Sequence, residues 1–318
     1  MALYRPDLGT EIPRVSATRE AVWASLRGKR RDVGGWLFEM ALLLTLLLSL
    51  GVLVTLLVNI LSTGWDVFAT RKLDFLTRGL SSIASRAGVW QGLLGSLMLM
   101  VFVIVLAFPI GIGAAVYLEE YAPDNRVTRF MTTNIRNLAG VPSIVYGLLG
   151  LAIFVLAAGG ITGGLSVISG GLTLAILVLP IVILTSMEAL RAVPSSIREA
   201  GYAVGATQWE VIRSHVLPYA SPGIFTGTVL SMARALGETA PLILVGAVTG
   251  FFFVSSGGLV DRLQGPYTAL PTVVFAWSRL PGEDFRQMAA AASVILMVLI
   301  LVVNATAILL RNRYERKW

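Results

Sequence analysis

The chain has 318 residues, of which 56% are hydrophobic and 14% charged, and its mean hydropathy is +0.79. A soluble chain carries about a quarter of its residues as charges, so this composition excludes a water-soluble domain, a disordered chain and a secreted disulfide scaffold, and predicts an integral membrane protein. Cysteine is absent and His215 is the single histidine, which removes thiolate metal sites, iron–sulfur ligation and cysteine nucleophiles and leaves little for a metal cage.

In chain order, residues 1–35 form a polar, basic arm. The apolar run after it is too long for a signal peptide and reads as a retained span over 36–61. Its Leu-rich, small-residue-poor composition suits a peripheral, lipid-facing helix. The charge-free runs 40–65, 87–118 and 287–310 hold 26, 32 and 24 residues, each more than the ~20 that cross about 30 Å of hydrocarbon. They predict spans over 36–61, 88–118 and 287–310. Between Arg136 and Glu188 lie 51 uncharged residues, roughly 77 Å as one helix, hence two spans, 137–158 and 170–188. The break falls between Gly159-Gly160 and Gly170-Gly171. A sixth span, 223–248, follows Pro218 and Pro222 and contains Arg234 and Glu238. Gly92, Gly95, Gly111, Gly113, Ala114, Ala115, Gly147 and Gly150 read as small residues that let helices approach closely.

Six spans put both termini on one side. Residues 1–36, 119–136, 188–222 and 311–318 together hold 17 Lys and Arg, against 7 on the opposite side, and the positive-inside rule places the richer side in the cytoplasm. The net charge of +7 is thereby topological, and nucleic-acid binding is not expected. The segments 189–222 and 311–318 become a cytoplasmic loop and tail, and 249–286 an external loop.

An ATP-binding P-loop needs two flanking glycines before Lys-Ser/Thr. Lys29 is the only lysine that follows a glycine, and Trp23 stands where the first loop glycine belongs. Glu119-Glu120 and Glu283-Asp284 lie at span edges, where solvated or headgroup-facing acids are expected. No catalytic constellation is evident, so no enzyme activity is expected, and any ATP hydrolysis belongs to a partner.

The segment 188–222 balances three acids against three bases. The spacing of Ala200, Ala203, Val204, Val211 and Ile212, interrupted by Gly201 and Gly205, predicts two short helices joined by a tight turn. Glu199-Ala200-Gly201, then Gly205, then His215-Val216-Leu217-Pro218 resemble the cytoplasmic signature of binding-protein-dependent ABC importer permeases. In that family the segment docks on an ATPase subunit, so the resemblance assigns Glu199, Ala200, Gly201, Gly205, Leu217 and Pro218 to ATPase coupling. Gly201 stands where alanine is common and is expected to loosen the helix by about 1 kcal/mol. His215 stands where an aliphatic residue is usual and reads as incidental.

The stretch from Ala233 to Leu242, with Arg234, Gly237, Glu238, Thr239 and Pro241, is similar to the fifth-span signature of PstA-type phosphate permeases. So are Leu138 to Gly147, Gly113 to Tyr121, and Thr268 to Pro271. The resemblance covers residues 36–315 and implies an all-α membrane protein with six transmembrane helices in the MetI-like type I ABC importer permease fold, its core over 62–310. It implies a phosphate-importing permease subunit of a bacterial inner membrane. The implied partners are a PstC-type permease, a PstB-type ATPase dimer holding ATP-Mg, a PstS-type phosphate-binding protein and a PhoU-type regulator, with lipid around them and no cofactor on this chain. Permeases for sulfate or molybdate, the PstC-type subunit, and a phosphate-sensing scaffold are the alternatives.

Twelve residues past Pro222, roughly 18 Å along a helix, Arg234 is expected near mid-bilayer, where an uncompensated charge costs ~3 kcal/mol or more. Glu238, four residues on, is within reach of a pair. Two readings stand: a buried brace that orders the helix, or a pair facing a translocation pathway, where the guanidinium can contact an anion.

Overall fold

The computed structural model describes residues 33–247 and 258–314; most of the basic arm 1–35, the first part of the 249–286 loop and the last four residues of the 311–318 tail lie outside them. The described residues are helical, with no strand and one isolated bridge between Ala247 and Tyr267. The helices are α1 (Val33–Arg71), α2 (Asp74–Thr77), α3 (Trp90–Tyr121), α4 (Arg126–Ala139), α5 (Ser143–Ala157), α6 (Gly159–Thr162), α7 (Val167–Arg191), α8 (Ser195–Ala203), α9 (Gln208–Val211), α10 (Leu217–Gly237), α11 (Ala240–Leu244), α12 (Leu259–Leu263), α13 (Leu270–Arg279) and α14 (Glu283–Tyr314). Helices α1, α3, α7 and α14 are long and apolar enough to cross a membrane. The pair α4 and α5, bent by 101°, is a fifth candidate if taken as one span.

The chain divides into two units, Met1–Val58 and Asn59–Trp318. The described part of the first is the leading stretch of α1, whose leucines and valines stand exposed, as in a helix that is apolar all round.

In the second unit α7 is central: Val178, Val182 and Leu190 are fully buried, with α3, α4, α5 and α10 packed around it. Gly227 of α10 lies against Thr185 of α7 so closely that a Cβ would overlap the threonine side chain. Lipid supplies no hydrophobic drive between helices, and such contact supplies dispersion instead. At one end Phe75, Val89, Leu270, Trp277 and Met288 join α2, α3, α13 and α14; at the other Leu118, Met187, Leu190, Val211, Ile212 and Val216 join α3, α7 and α9.

Of the four π-helical segments among the described residues, three, Val103–Ala107, Tyr117–Tyr121 and Ile212–Val216, end two residues before a proline, Pro109, Pro123 and Pro218; the fourth, Leu151–Ala157, does not. Proline lacks an N–H and collides with the carbonyl four residues back; at Pro109 and Pro218 a locally widened turn relieves that clash without ending the helix, whereas α3 ends at Tyr121, before Pro123. Hence α9, the last of these turns and α10 run on without interruption.

This changes the boundaries expected for the fifth span. The helix does not wait for 223: it runs in continuously from α9 through Leu217, with Pro218 and Pro222 both inside it. At Pro222 the carbonyl of Pro218, which would have accepted from it, is bonded by Ser221 Oγ at 2.9 Å. The helix ends at Gly237 rather than continuing to 248: Glu238 is extended (φ −74°, ψ 125°), and Pro241 starts α11 in its first turn. The expected third span, 137–158, is bent near its start, between Ala139 and Ser143.

Candidate functional site

The cytoplasmic segment predicted from sequence folds as two short helices, α8 and α9, about a turn. Gly205 carries the turn at φ +84°, a left-handed conformation that glycine adopts without strain. Thr207 then caps α9: its N–H and hydroxyl each donate to the Glu210 carboxylate at 2.8 Å, and the Glu210 N–H donates back to Thr207 Oγ1 at 3.4 Å, a capping box. These bonds, the backbone one foremost, hold the Glu210 carboxyl below its ordinary value of 4.5.

Gly201 corrects the expectation of a loosened helix. It is buried, and a Cβ at this position would sit 2.7 Å from Cγ2 of Val211, itself fully buried. The missing methyl is the space into which α9 packs on α8. Glu199 and Ala200 face outward, beside Tyr202, Val204 and Trp209, which are 46%, 84% and 54% exposed. Leu217 packs into the core below, and Pro218 and His215 are exposed.

The acids at the end of α3 are not the solvated pair that the sequence suggests. Glu120 has a side chain only 5% exposed, and Arg198 of α8 pairs with it. Arg198 Nη2 and Nε donate to its two oxygens at 2.6 and 3.1 Å, the fork geometry that suits a carboxylate. The guanidinium also donates to the carbonyls of Val193 and Leu190 at 2.9 and 3.0 Å. The hydrogen bond to Glu120 is the main cause that raises the Arg198 pKa. Gln208 Nε2 donates to the Glu120 carbonyl, and Arg191 Nε donates to Glu119 at 2.8 Å. The segment that holds α8 and α9 is therefore clamped to the end of α3. Sequence reasoning missed this latch because an acid pair at a helix end carries no mark of burial; the only available signal was its place in the stretch Gly113 to Tyr121.

At the far end of α10, Arg234 and Glu238 do meet. Nε of Arg234 is 3.5 Å from Oε1 of Glu238, with side chains 49% and 15% exposed, an ion pair too long for a good hydrogen bond. The pair does not lie along a helix face, since Glu238 reaches back from the extended break. Its neighbours Ser231, Met232, Ala235 and Leu236 are buried, so Arg234 is the residue that this turn turns outward. Leu217 and Pro218 thus lie at the opposite end of α10 from the ion pair, 17 residues from Leu217 to Arg234 and about 26 Å apart at 1.5 Å per residue.

Residues 107–316 match the family described as binding-protein-dependent transport system inner membrane component. The probable ABC transporter permease protein YqgI of Bacillus subtilis (strain 168) is 36% identical over 177 residues, 55% of this chain and 59% of its own length. The phosphate transport system permease protein PstA 1 of Mycobacterium tuberculosis (strain CDC 1551 / Oshkosh) is 34% identical over 263 residues, 81% of this chain and 82% of its own. Among solved structures, a chain of a bacterial alginate ABC transporter in complex with alginate pentasaccharide-bound periplasmic protein aligns with TM-score 0.63 and 15% identity over 92% of this chain and 99% of that one. A chain of the inward-facing MetNI methionine ABC transporter aligns with TM-score 0.57 and 18% identity over 72% and 98%. These two alignments establish the MetI-like all-helical fold. With the family match over most of the core and PstA likeness over four fifths of its length, the chain belongs to the binding-protein-dependent transport system inner membrane component family, as a multi-pass ABC importer permease of the PstA type and not an enzyme.

Proposed function

We propose that the chain is one half of an ATP-driven importer of inorganic phosphate. In this reading it crosses a bacterial inner membrane six times with both termini in the cytoplasm, and a homologous PstC-type permease completes the pathway. A PstB-type ATPase dimer binds and hydrolyses ATP-Mg and docks on the outward surface around Glu199, Ala200 and Trp209. A PstS-type binding protein delivers phosphate on the external side, at 62–90 and 249–286, and a PhoU-type regulator acts on the assembled complex.

One observation carries the reading: the half-exposed Arg234 beside Glu238 at a helix break. A guanidinium held by a long, loose pair can exchange its carboxylate for the oxygens of a passing anion through charge-assisted bonds. Discontinuous helices inside a membrane characteristically mark such sites. Glu238 keeps the attraction from becoming a trap, because the anion competes with a fixed carboxylate and must leave. The phosphate assignment among oxyanions rests on the likeness to PstA 1 of Mycobacterium tuberculosis.

The test is ATPase activity of the chain reconstituted in liposomes with its second permease, ATPase and binding protein, with the binding protein loaded with phosphate or with sulfate. Stimulation by the phosphate-loaded form alone is expected. Stimulation by the sulfate-loaded form alone reassigns the substrate, and an assembled, ATPase-competent complex that responds to neither moves the sensing-scaffold reading ahead.

A further inference from the structure

Helix α4 presents three different sides. Its sequence holds three arginines and no acid. At about 100° per residue, Val127, Phe130, Met131 and Leu138 cluster on one side, 65%, 69%, 44% and 46% exposed, with the exposed Asn134 among them. Roughly opposite, Arg129 and Arg136 line a polar cavity of about 470 Å³ together with Thr132, Thr133, Glu119 and Arg191. Between these sides runs the stripe Thr128, Thr132, Ile135 and Ala139, each half-buried, by which α4 rests on α7.

A helix that carries protein contact on one side, water on a second and bare apolar side chains on a third has a defined orientation. The bend of 101° between α4 and α5 turns α4 across the direction of the following span. It lies beside Glu119 and Arg191, the charged residues at the ends of α3 and α7.

We propose that α4 is an interfacial anchor, lying in the plane of the phospholipid headgroups with Val127, Phe130, Met131 and Leu138 seated at the boundary of the acyl chains. The occupant of the apolar side is the lipid surface, and the exposed Arg126, on the edge of that side next to Phe130, complements the anionic headgroups of a cytoplasmic leaflet. Asn125 fixes where the anchor begins, its Oδ1 accepting from the Thr128 N–H at 2.9 Å. The asparagine cap and the arginine-lined cavity keep the opposite side wet, so the helix cannot sink further. The anchor is independent of which substrate crosses.

Because the chain has no cysteine, single substitutions Val127→Cys, Phe130→Cys and Thr133→Cys each give a unique spin-label site on it. The labelled chain is assembled with cysteine-free partner subunits in vesicles of phosphatidylethanolamine and phosphatidylglycerol, and collision with oxygen is compared with collision with a water-soluble nickel chelate. Labels at 127 and 130 are expected to favour oxygen and the label at 133 the chelate. Chelate access at 127 and 130 equal to that at 133 would place this side in water. Protection of both from either reagent would place it under a partner subunit. Each of these two results overturns the proposal, and the paired positions guard against a local distortion at one of them.

Discussion

Arg198 holds Glu120 by both carboxylate oxygens, with the acid 5% exposed and the base 23%, so α8 and the end of α3 share one nearly dry ion pair. Removal of one member leaves the other without its partner in a poorly solvated site, at a cost of about 3 kcal/mol.

Arg198→Met and Glu120→Gln are expected to lower thermal stability and to reduce the share of ATP hydrolysis that is stimulated by loaded binding protein. The exchange of the two residues, Glu120→Arg with Arg198→Glu, is expected to recover only part of the loss, since the native guanidinium also donates to the carbonyls of Val193 and Leu190. Full recovery by the exchange would show that these carbonyl bonds contribute nothing.

Gly201→Ala adds a methyl where Val211 already stands. Overpacking of this kind costs about 1–3 kcal/mol. A lower unfolding temperature of the complex is expected for Gly201→Ala, and Val211→Ala in the same chain is expected to return part of it. Equal stability of Gly201→Ala and the parent would mean that α8 and α9 separate without cost.

Arg234→Gln in an assembled complex is expected to cut phosphate uptake by about tenfold or more, equivalent to ~1.4 kcal/mol of barrier, and Arg234→Lys to retain part of it, a point charge replacing a fork. Glu238→Gln is expected to slow turnover while binding-protein docking is kept. Undiminished uptake by assembled Arg234→Gln protein removes Arg234 from the transport path.

The Thr207 cap depends on pH. The Glu210 carboxyl is lowered from 4.5 in the fold, so its contribution is complete above that ordinary value and is lost as pH falls through the lowered one. Amide hydrogen exchange at the start of α9 is expected to quicken, relative to the core, below about pH 4.5. In Glu210→Gln protein this pH dependence should vanish.

The long helices were legible because charge-free runs and membrane thickness are both lengths, and the turn at Gly205 because glycine marks it. The end of α10 at Gly237 was not legible, since Glu238 keeps helical spacing from Arg234 and the competing signal, Pro241, comes only after Thr239 and Ala240. The ion pair was found for a partly wrong reason: the spacing brought the two together, but an extended residue closes the contact. Glu120 was misread because burial is a property of what packs over a residue, and Arg198 arrives from 78 positions away. Gly201 was misread because helix propensity ignores neighbours, and Val211 had already taken the space.

The widened turn at Ile212–Val216 also fixes the azimuth of everything after it. It fits one more residue than an ordinary helical turn into about the same rotation, and one residue of α-helix is about 100°. Tightening of that turn to α-helical spacing, with no residue removed, would leave α9 and its cap as they are and swing Arg234 by roughly a quarter of a circle, into the packing now made by its buried neighbours. By requiring the wide turn, Pro218 aims the far end of the helix.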